Sequence, residues 1–144
     1  MGYKKAQPPT ILGWSAHVEI ASEPMTEHTE QAAFCQWMDI QYPDVLYFSI
    51  PNGGWLAGNA GQRAGQMNKL KAEGLLPGTS DLLIAEPRGK WHGMFLEMKQ
   101  RGGKLSENQE WFLAEAEKRG YFTAVAFNGF DDAQALVDDY LKGA

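Results

Sequence analysis

The chain has 144 residues, a formal net charge of −5, and 44 % hydrophobic against 22 % charged residues. These values predict one globular domain with one hydrophobic core, and no apolar run approaches the about 18 residues of a membrane span. The early Lys4 and Lys5 are not followed by the apolar region of a secretory signal, and the only cysteine, Cys35, excludes an internal disulfide framework and favours a reducing compartment.

Charge is distributed unevenly along the chain. Between Arg63 and Lys104, eight basic residues stand against four acidic ones, although the chain as a whole is acidic. Taken alone, this window is about equally consistent with an ordinary mixed surface and with a local patch that attracts phosphate groups.

Residues 1–25 carry only weak patterns. Pro8, Pro9 and Pro24 interrupt them, and a short strand is predicted near 14–20. We therefore expect 1–25 to form an N-terminal arm, weakly structured or packed on the domain or a partner subunit, and 26–144 to form a single domain.

The first predicted helix begins after Thr26, a capping residue, and runs to about Gln41. Glu27, Glu30 and Phe34 fall near one stripe of this helix. An acid at a helix start favours the helix macrodipole, and this explanation is preferred for Glu27. For Glu30, a structural role and a role in a site on the core-facing edge are equally favoured.

A strand is predicted over 45–50, where β-branched and aromatic residues dominate. The turn that follows, 51–54, either only reverses the chain or allows close backbone approach to a ligand. A glycine-rich loop over 55–61 then leads to a short polar helix over 62–73, which Gly74 ends.

The centre of the chain predicts a hairpin. Two apolar runs, 82–84 and 94–98, flank a turn that contains Pro87 and Gly89. If the two runs pair, Asp81 comes near Glu97.

The last third predicts a helix, a strand and a helix. Ser106 caps the first helix, with Gln109 in capping-box position. The apolar segment 121–127 predicts a strand in the centre of the sheet. Asp131 is expected to cap the last helix, whose inward residues are predicted to be Ala135, Leu136, Tyr140 and Leu141.

The resulting order is α-β-α-β-β-α-β-α. This order predicts an α/β fold in which helices cover both faces of a mixed β-sheet.

Three residues of the hairpin carry reactive groups. Glu97 and Lys99 are two apart on a strand and so share a face, although on this pair alone a solvent-exposed salt bridge is the preferred interpretation. Asp81, at the start of a buried strand, favours a metal site over this interpretation, because partly buried carboxylates favour a divalent cation. The backbone carbonyl of Met98 can add a third oxygen. Lys99 can orient or deprotonate a water, or stabilise charge on phosphorus.

The residues around this trio resemble the motifs of a known family. The sequence is similar to the PD-(D/E)xK nuclease superfamily, and within it to the VRR-NUC (virus-type replication-repair nuclease) branch, although Ser80 stands where that pattern has proline. The resemblance implies a restriction-endonuclease-like core and cleavage of DNA that depends on Mg²⁺ or Mn²⁺. The motifs that carry it are 50–54, 74–81, 95–99 and 106–109 with Trp111.

The resemblance also implies roles for individual residues. Asp81, Glu97 and the Met98 carbonyl would hold the metal, and Lys99 would be catalytic. Glu30 from the first helix would complete the metal shell, with Glu27 as its competitor. Gln109 would support the site. The candidate DNA contacts are Asn52, Arg63, Lys69, Arg101 and Lys104.

Small bacterial and viral members of this branch resemble junction resolvases. We therefore predict a structure-selective DNA endonuclease that acts on branched DNA, including Holliday junctions, as a homodimer in the cytoplasm of a bacterial or phage-infected cell. The five tryptophans are compatible with a dimer interface. The alternatives are a non-catalytic nucleic-acid-binding domain with the same fold and, ranked third, a small-molecule phosphohydrolase.

Overall fold

A computed structural model describes residues 26–52 and 56–143. The predicted order of elements is confirmed, whereas the predicted strand near 14–20 and the arm 1–25 lie outside the described residues. The elements are α1 (Glu27–Gln41), β1 (Tyr47–Ser49), α2 (Ala60–Ala72), β2 (Leu82–Ile84), β3 (Met94–Met98), α3 (Glu107–Lys118), β4 (Phe122–Ala126) and α4 (Gly129–Lys142).

The four described strands form one mixed sheet in the order β1-β2-β3-β4. The predicted hairpin is confirmed: β2 and β3 are antiparallel, with Leu82 opposite Leu96. β1 is antiparallel to β2, and β4 is parallel to β3. The expected central place of the last strand is wrong, since β4 is an edge of the described sheet. β4 is apolar because both α3 and α4 pack on it.

Successive side chains of β3 point to opposite faces of the sheet. Met94, Leu96 and Met98 are buried in the main core together with side chains of α1 and α4, such as Phe34 and Val137. On the opposite face, Phe95 packs edge-to-face on Phe112 of α3, with ring centroids 5.0 Å apart. Helices thus cover both faces of β3, as predicted.

The start of the last helix differs from the prediction. α4 begins at Gly129, directly after β4, and Asp132, not Asp131, accepts a hydrogen bond from the Asn128 N–H at 2.9 Å. Of the predicted inward residues, Tyr140 and Leu141 are buried and Leu136 packs against the core, as expected, whereas Ala135 is exposed and Ala133 is buried instead.

The helix α2 begins two residues earlier than predicted. Asn59 and Gln62 form a capping box that the glycine-rich composition of this segment obscured. None of the α2 residues is buried, and both Arg63 and Lys69 are exposed. Within the described residues, no helix is long and apolar enough to cross a membrane.

Candidate active site

Asp81 is held between two strands just before β2 begins. Its carbonyl accepts a hydrogen bond from the Ile50 N–H at 2.8 Å, on the β1 side. Its carboxylate Oδ2 accepts from the Met98 N–H of β3 at 2.7 Å. The Asp81 carboxylate therefore accepts the hydrogen bond that a backbone carbonyl would accept if the pairing of β2 and β3 continued. This contact fixes the carboxylate at the end of the sheet.

Glu97 lies beside Asp81 and is almost completely buried, with 2 % of its surface exposed. Its Oε1 accepts a hydrogen bond from Gln109 Nε2 at 2.8 Å, whereas its buried Oε2 has no hydrogen-bond partner among the described residues. Burial, and then the nearby charge of Asp81, raise the pKa of Glu97. Burial likewise raises the pKa of Asp81, although the hydrogen bond from Met98 opposes this shift.

Lys99 brings a positive charge to the two carboxylates. Its Nζ lies 3.9 Å from Glu97 Oε1, and its side chain is only 16 % exposed. The Lys99 N–H donates to Ala126 O of β4, so the N–H and carbonyl of the preceding residue, Met98, point to the opposite edge of β3, where Asp81 lies. The Met98 carbonyl is therefore on the Asp81 side of β3.

Gln109 joins the start of α3 to Glu97. Its Oε1 accepts a hydrogen bond from the Ser106 N–H at 2.9 Å, while Ser106 Oγ accepts from the Gln109 N–H at 3.2 Å. The capping box thereby occupies the amide oxygen and directs the amide NH₂ group to Glu97. The predicted capping box is confirmed. Gln109 also donates a hydrogen bond to Glu97, the residue that it is expected to support.

Gly78 fits the loop before Asp81 against the first turn of α3. Its φ is +89°, and a Cβ at this position would overlap the backbone carbonyl of Asn108. A close contact of this kind between distant segments leaves no local signal in the sequence.

The Gly78→Ala variant is expected to lose about 3 kcal/mol of the free energy of unfolding, since strain at positive φ and displacement of α3 add. Gly74→Ala is the matched control: Gly74 has φ +106° but open space around it, so only about 1–2 kcal/mol is expected from strain. Urea unfolding followed by circular dichroism measures both. Equal losses in the two variants would contradict the contact with α3.

The structure distinguishes the two glutamates of α1. Glu27 lines a cleft of about 590 Å³ together with Asp81, and burial and the charge of Asp81 raise its pKa, while Lys99 opposes the shift. The carboxylate of Glu30 instead packs against Gly129 and lies 3.5 Å from the Phe130 N–H at the start of α4. The structure thus brings Glu27, and not Glu30, towards Asp81. Two positions three apart differ by only about 60° around a helix, which is why the pattern could not separate them.

Of the candidate DNA contacts, Asn52 lines the same cleft as Asp81. Leu70 of α2 also lines this cleft, and the exposed Arg63 and Lys69 belong to the same helix. Arg101 and Lys104 are exposed in the turn that follows Lys99, and Arg101 Nε donates to Asn128 Oδ1 at 3.2 Å.

The groups that converge at the site are oxygen donors, the type of ligand that a hard divalent cation prefers. Among the described residues, no three His, Cys, Asp or Glu side chains are arranged to hold a metal ion. However, Mg²⁺ typically uses one or two carboxylates and keeps several waters, which matches Asp81 and Glu97 with the Met98 carbonyl beside them. The buried, unpartnered Oε2 of Glu97 is an atom that such an ion would satisfy. The residues therefore fit a hard divalent cation.

Comparisons with known proteins agree with the fold and with the motifs. The model of the VRR-NUC domain family matches residues 20–127. A solved structure described as a VRR-NUC domain protein has the same fold, with a TM-score of 0.66 and 23 % identity, over 83 % of this chain and 91 % of that chain. No curated protein sequence is significantly similar to the chain. The match to the family model covers most of the chain and includes the whole Asp81–Gln109 region, so the chain belongs to the VRR-NUC domain family, a family of nuclease type.

Proposed function

We propose that the protein is an endonuclease that hydrolyses DNA phosphodiester bonds with Mg²⁺ or Mn²⁺ as cofactor. The observation that carries the proposal is the state of Glu97, a buried carboxylate with an unpartnered oxygen beside Asp81 and Lys99. Such a group destabilises the fold unless a cation neutralises it, and perturbed groups of this kind cluster in functional sites.

The residues take distinct roles in this proposal. Asp81, Glu97 and the Met98 carbonyl would hold the ion, with Glu27 as the added carboxylate from α1 in place of Glu30. The ion, when bound, supplies Lewis-acid polarisation of the phosphoryl oxygens. Lys99 would orient the attacking water and stabilise the negative charge that develops on the phosphate.

Gln109 holds Glu97 in one orientation through the 2.8 Å hydrogen bond between the two side chains. Because the capping box occupies the other end of this amide, the Glu97 carboxylate cannot rotate without breaking the contact. A ligand fixed in this way loses less conformational freedom when the ion binds.

Contacts to DNA would come from the exposed cations around the cleft. Arg63, Lys69, Arg101 and Lys104 would neutralise backbone phosphates, and Asn52 would bind DNA from the cleft wall. We further propose that the substrate is branched DNA, including Holliday junctions, and that the protein acts in the cytoplasm as a homodimer. A twofold-symmetric enzyme presents two equivalent sites to the two strands that it must cut.

The test is cleavage of end-labelled four-way junction, fork and linear duplex DNA of matched sequence by the full chain. Cleavage is expected with Mg²⁺ or Mn²⁺, faster on the branched substrates, and none is expected in EDTA. Equal cleavage in EDTA would refute metal dependence. Junction binding in a gel-shift assay without any cleavage would favour the alternative, a non-catalytic nucleic-acid-binding domain.

A further inference from the structure

The helix α3 carries an exposed stripe on the side that faces away from the sheet. Trp111, with 52 % of its surface exposed, and the exposed Ala114 lie in the middle of the stripe. Glu107 is at its beginning and Lys118 is at its end. The side chain of Lys118 is 70 % exposed, although its Nζ also lies 2.9 Å from Glu115 Oε1 of the same helix. Steps of four, three and four residues place these side chains in one line along the helix.

This stripe is complementary to itself. If two copies of α3 pack antiparallel about a twofold axis between positions 111 and 114, Trp111 faces the partner subunit's Ala114. In the same register, Glu107 faces the partner subunit's Lys118. A small residue opposite a large aromatic one allows close packing, and opposite charges at the two ends set the register.

We propose that this α3 stripe is the contact between two copies of the chain. The inference rests on the homodimer proposed above and names its surface. Leu76, which is 44 % exposed, lines a groove together with Trp111 and extends the apolar area beyond the helix. An exposed tryptophan within an apolar area is the kind of residue that dominates the energetics of protein interfaces.

The charges of α3 argue against DNA as the occupant of this surface. Glu107, Glu110 and Glu117 are all exposed on the helix, and they would repel phosphate groups. The cations proposed to bind DNA lie on α2 and in the turn after β3. The two surfaces can therefore be occupied at the same time.

The first experiment measures the mass of the full chain by light scattering over a concentration series. The parent is expected to be a dimer, and Trp111→Glu is expected to weaken dimerisation by about 30-fold or more. Phe48→Glu is the matched control, because Phe48 on β1 is 46 % exposed and lies outside the stripe, and it is expected to remain a dimer. A dimeric parent whose Trp111→Glu variant is equally dimeric would refute the surface but not the homodimer. A monomeric parent would refute both the proposed surface and the homodimer. This outcome is also the one expected if residues 1–25 of the same chain cover Trp111.

A charge exchange tests the register independently of the tryptophan. Glu107→Lys and Lys118→Glu are each expected to weaken dimerisation several-fold, and the double variant is expected to recover the dimer of the parent. Additive losses in the double variant would refute the antiparallel pairing. Cleavage of linear duplex by the same variants reports the nuclease separately, so an error in the surface is distinguishable from an error in the proposed activity.

Discussion

The Lys99→Ala variant is expected to cleave DNA about 10³-fold more slowly than the parent, while still folding and binding Mn²⁺. Lys99 Nζ is the cation that the structure places 3.9 Å from Glu97, in a side chain that is 16 % exposed. Its charge is therefore weakly screened by water and would act strongly on a phosphate bound in the site. Removing it would leave the proposed oxygen ligands in place but deprive the reacting phosphate of this stabilisation.

Single-turnover cleavage of a labelled junction measures the rate, and the increase in melting temperature with Mn²⁺ measures metal binding. Lys104→Ala is the matched control, because Lys104 is exposed five residues further along and is expected to affect affinity for DNA more than the rate. Cleavage by Lys99→Ala within about threefold of the parent rate would exclude a catalytic role for this residue.

The Glu97→Gln variant is expected to be inactive and, without metal, more stable than the parent by about 2 kcal/mol at neutral pH. Glutamine can still accept the hydrogen bond from Gln109 through its oxygen, and its NH₂ group can donate to the Asp81 carboxylate. The substitution thus removes a buried charge without leaving a cavity. In the folded parent, in contrast, Glu97 must either hold a proton or ionise next to Asp81 as the pH rises above its ordinary pKa, and either state lowers the stability relative to the ionised unfolded chain.

The stability of the metal-free parent is expected to fall as the pH rises. The pKa of Glu97 is raised above its ordinary value of 4.5 in the folded protein. The folded state therefore binds a proton more tightly than the unfolded state, and the resulting stability is present at pH below about 4.5 and lost as the pH rises through the raised pKa. In EDTA, the contribution of Glu97 to this loss should reach about 1.4 kcal/mol per pH unit in the parent. The loss should be smaller in Glu97→Gln, where only the raised pKa values of groups such as Asp81 and Glu27 still contribute.

Urea unfolding at several pH values in EDTA measures this difference. Glu117→Gln, which removes an exposed carboxylate from α3, is expected to behave as the parent within about 0.5 kcal/mol. If Glu97→Gln has the same pH profile as the parent, the buried carboxylate does not destabilise the metal-free protein.

Much of the fold could be predicted from local patterns. The capping residues Thr26 and Ser106 are followed by periodic apolar positions, and the two apolar runs around Pro87 and Gly89 have the length of a hairpin. These signals are encoded within a few residues of one another. The edge position of β4 is not encoded locally. Apolar residues are required wherever two helices cover a strand, at an edge as well as in the centre, so the composition of β4 does not report its position in the sheet.

Local sequence relationships could predict only part of the candidate site. Glu97 and Lys99 are two apart on one strand, so their shared face follows from the sequence. The contact of Gln109 with Glu97 joins two separate elements and was expected only from the family resemblance. The choice between Glu27 and Glu30 depends on how α1 is rotated against the sheet and on the start of α4, where Gly129 accommodates Glu30. Packing of distant segments decides that rotation, and no pattern within α1 reports it.

The capping box of α3 also couples the site to the weakest part of a helix, its first turn. Terminal turns open by local fluctuation at a small fraction of the free energy of global unfolding. When the turn at Ser106 opens, the amide of Gln109 is released and Glu97 loses its hydrogen bond to Gln109. We therefore expect the site to come apart in a sub-global opening that leaves the sheet intact, so that the proposed activity would be lost on heating before the fold melts.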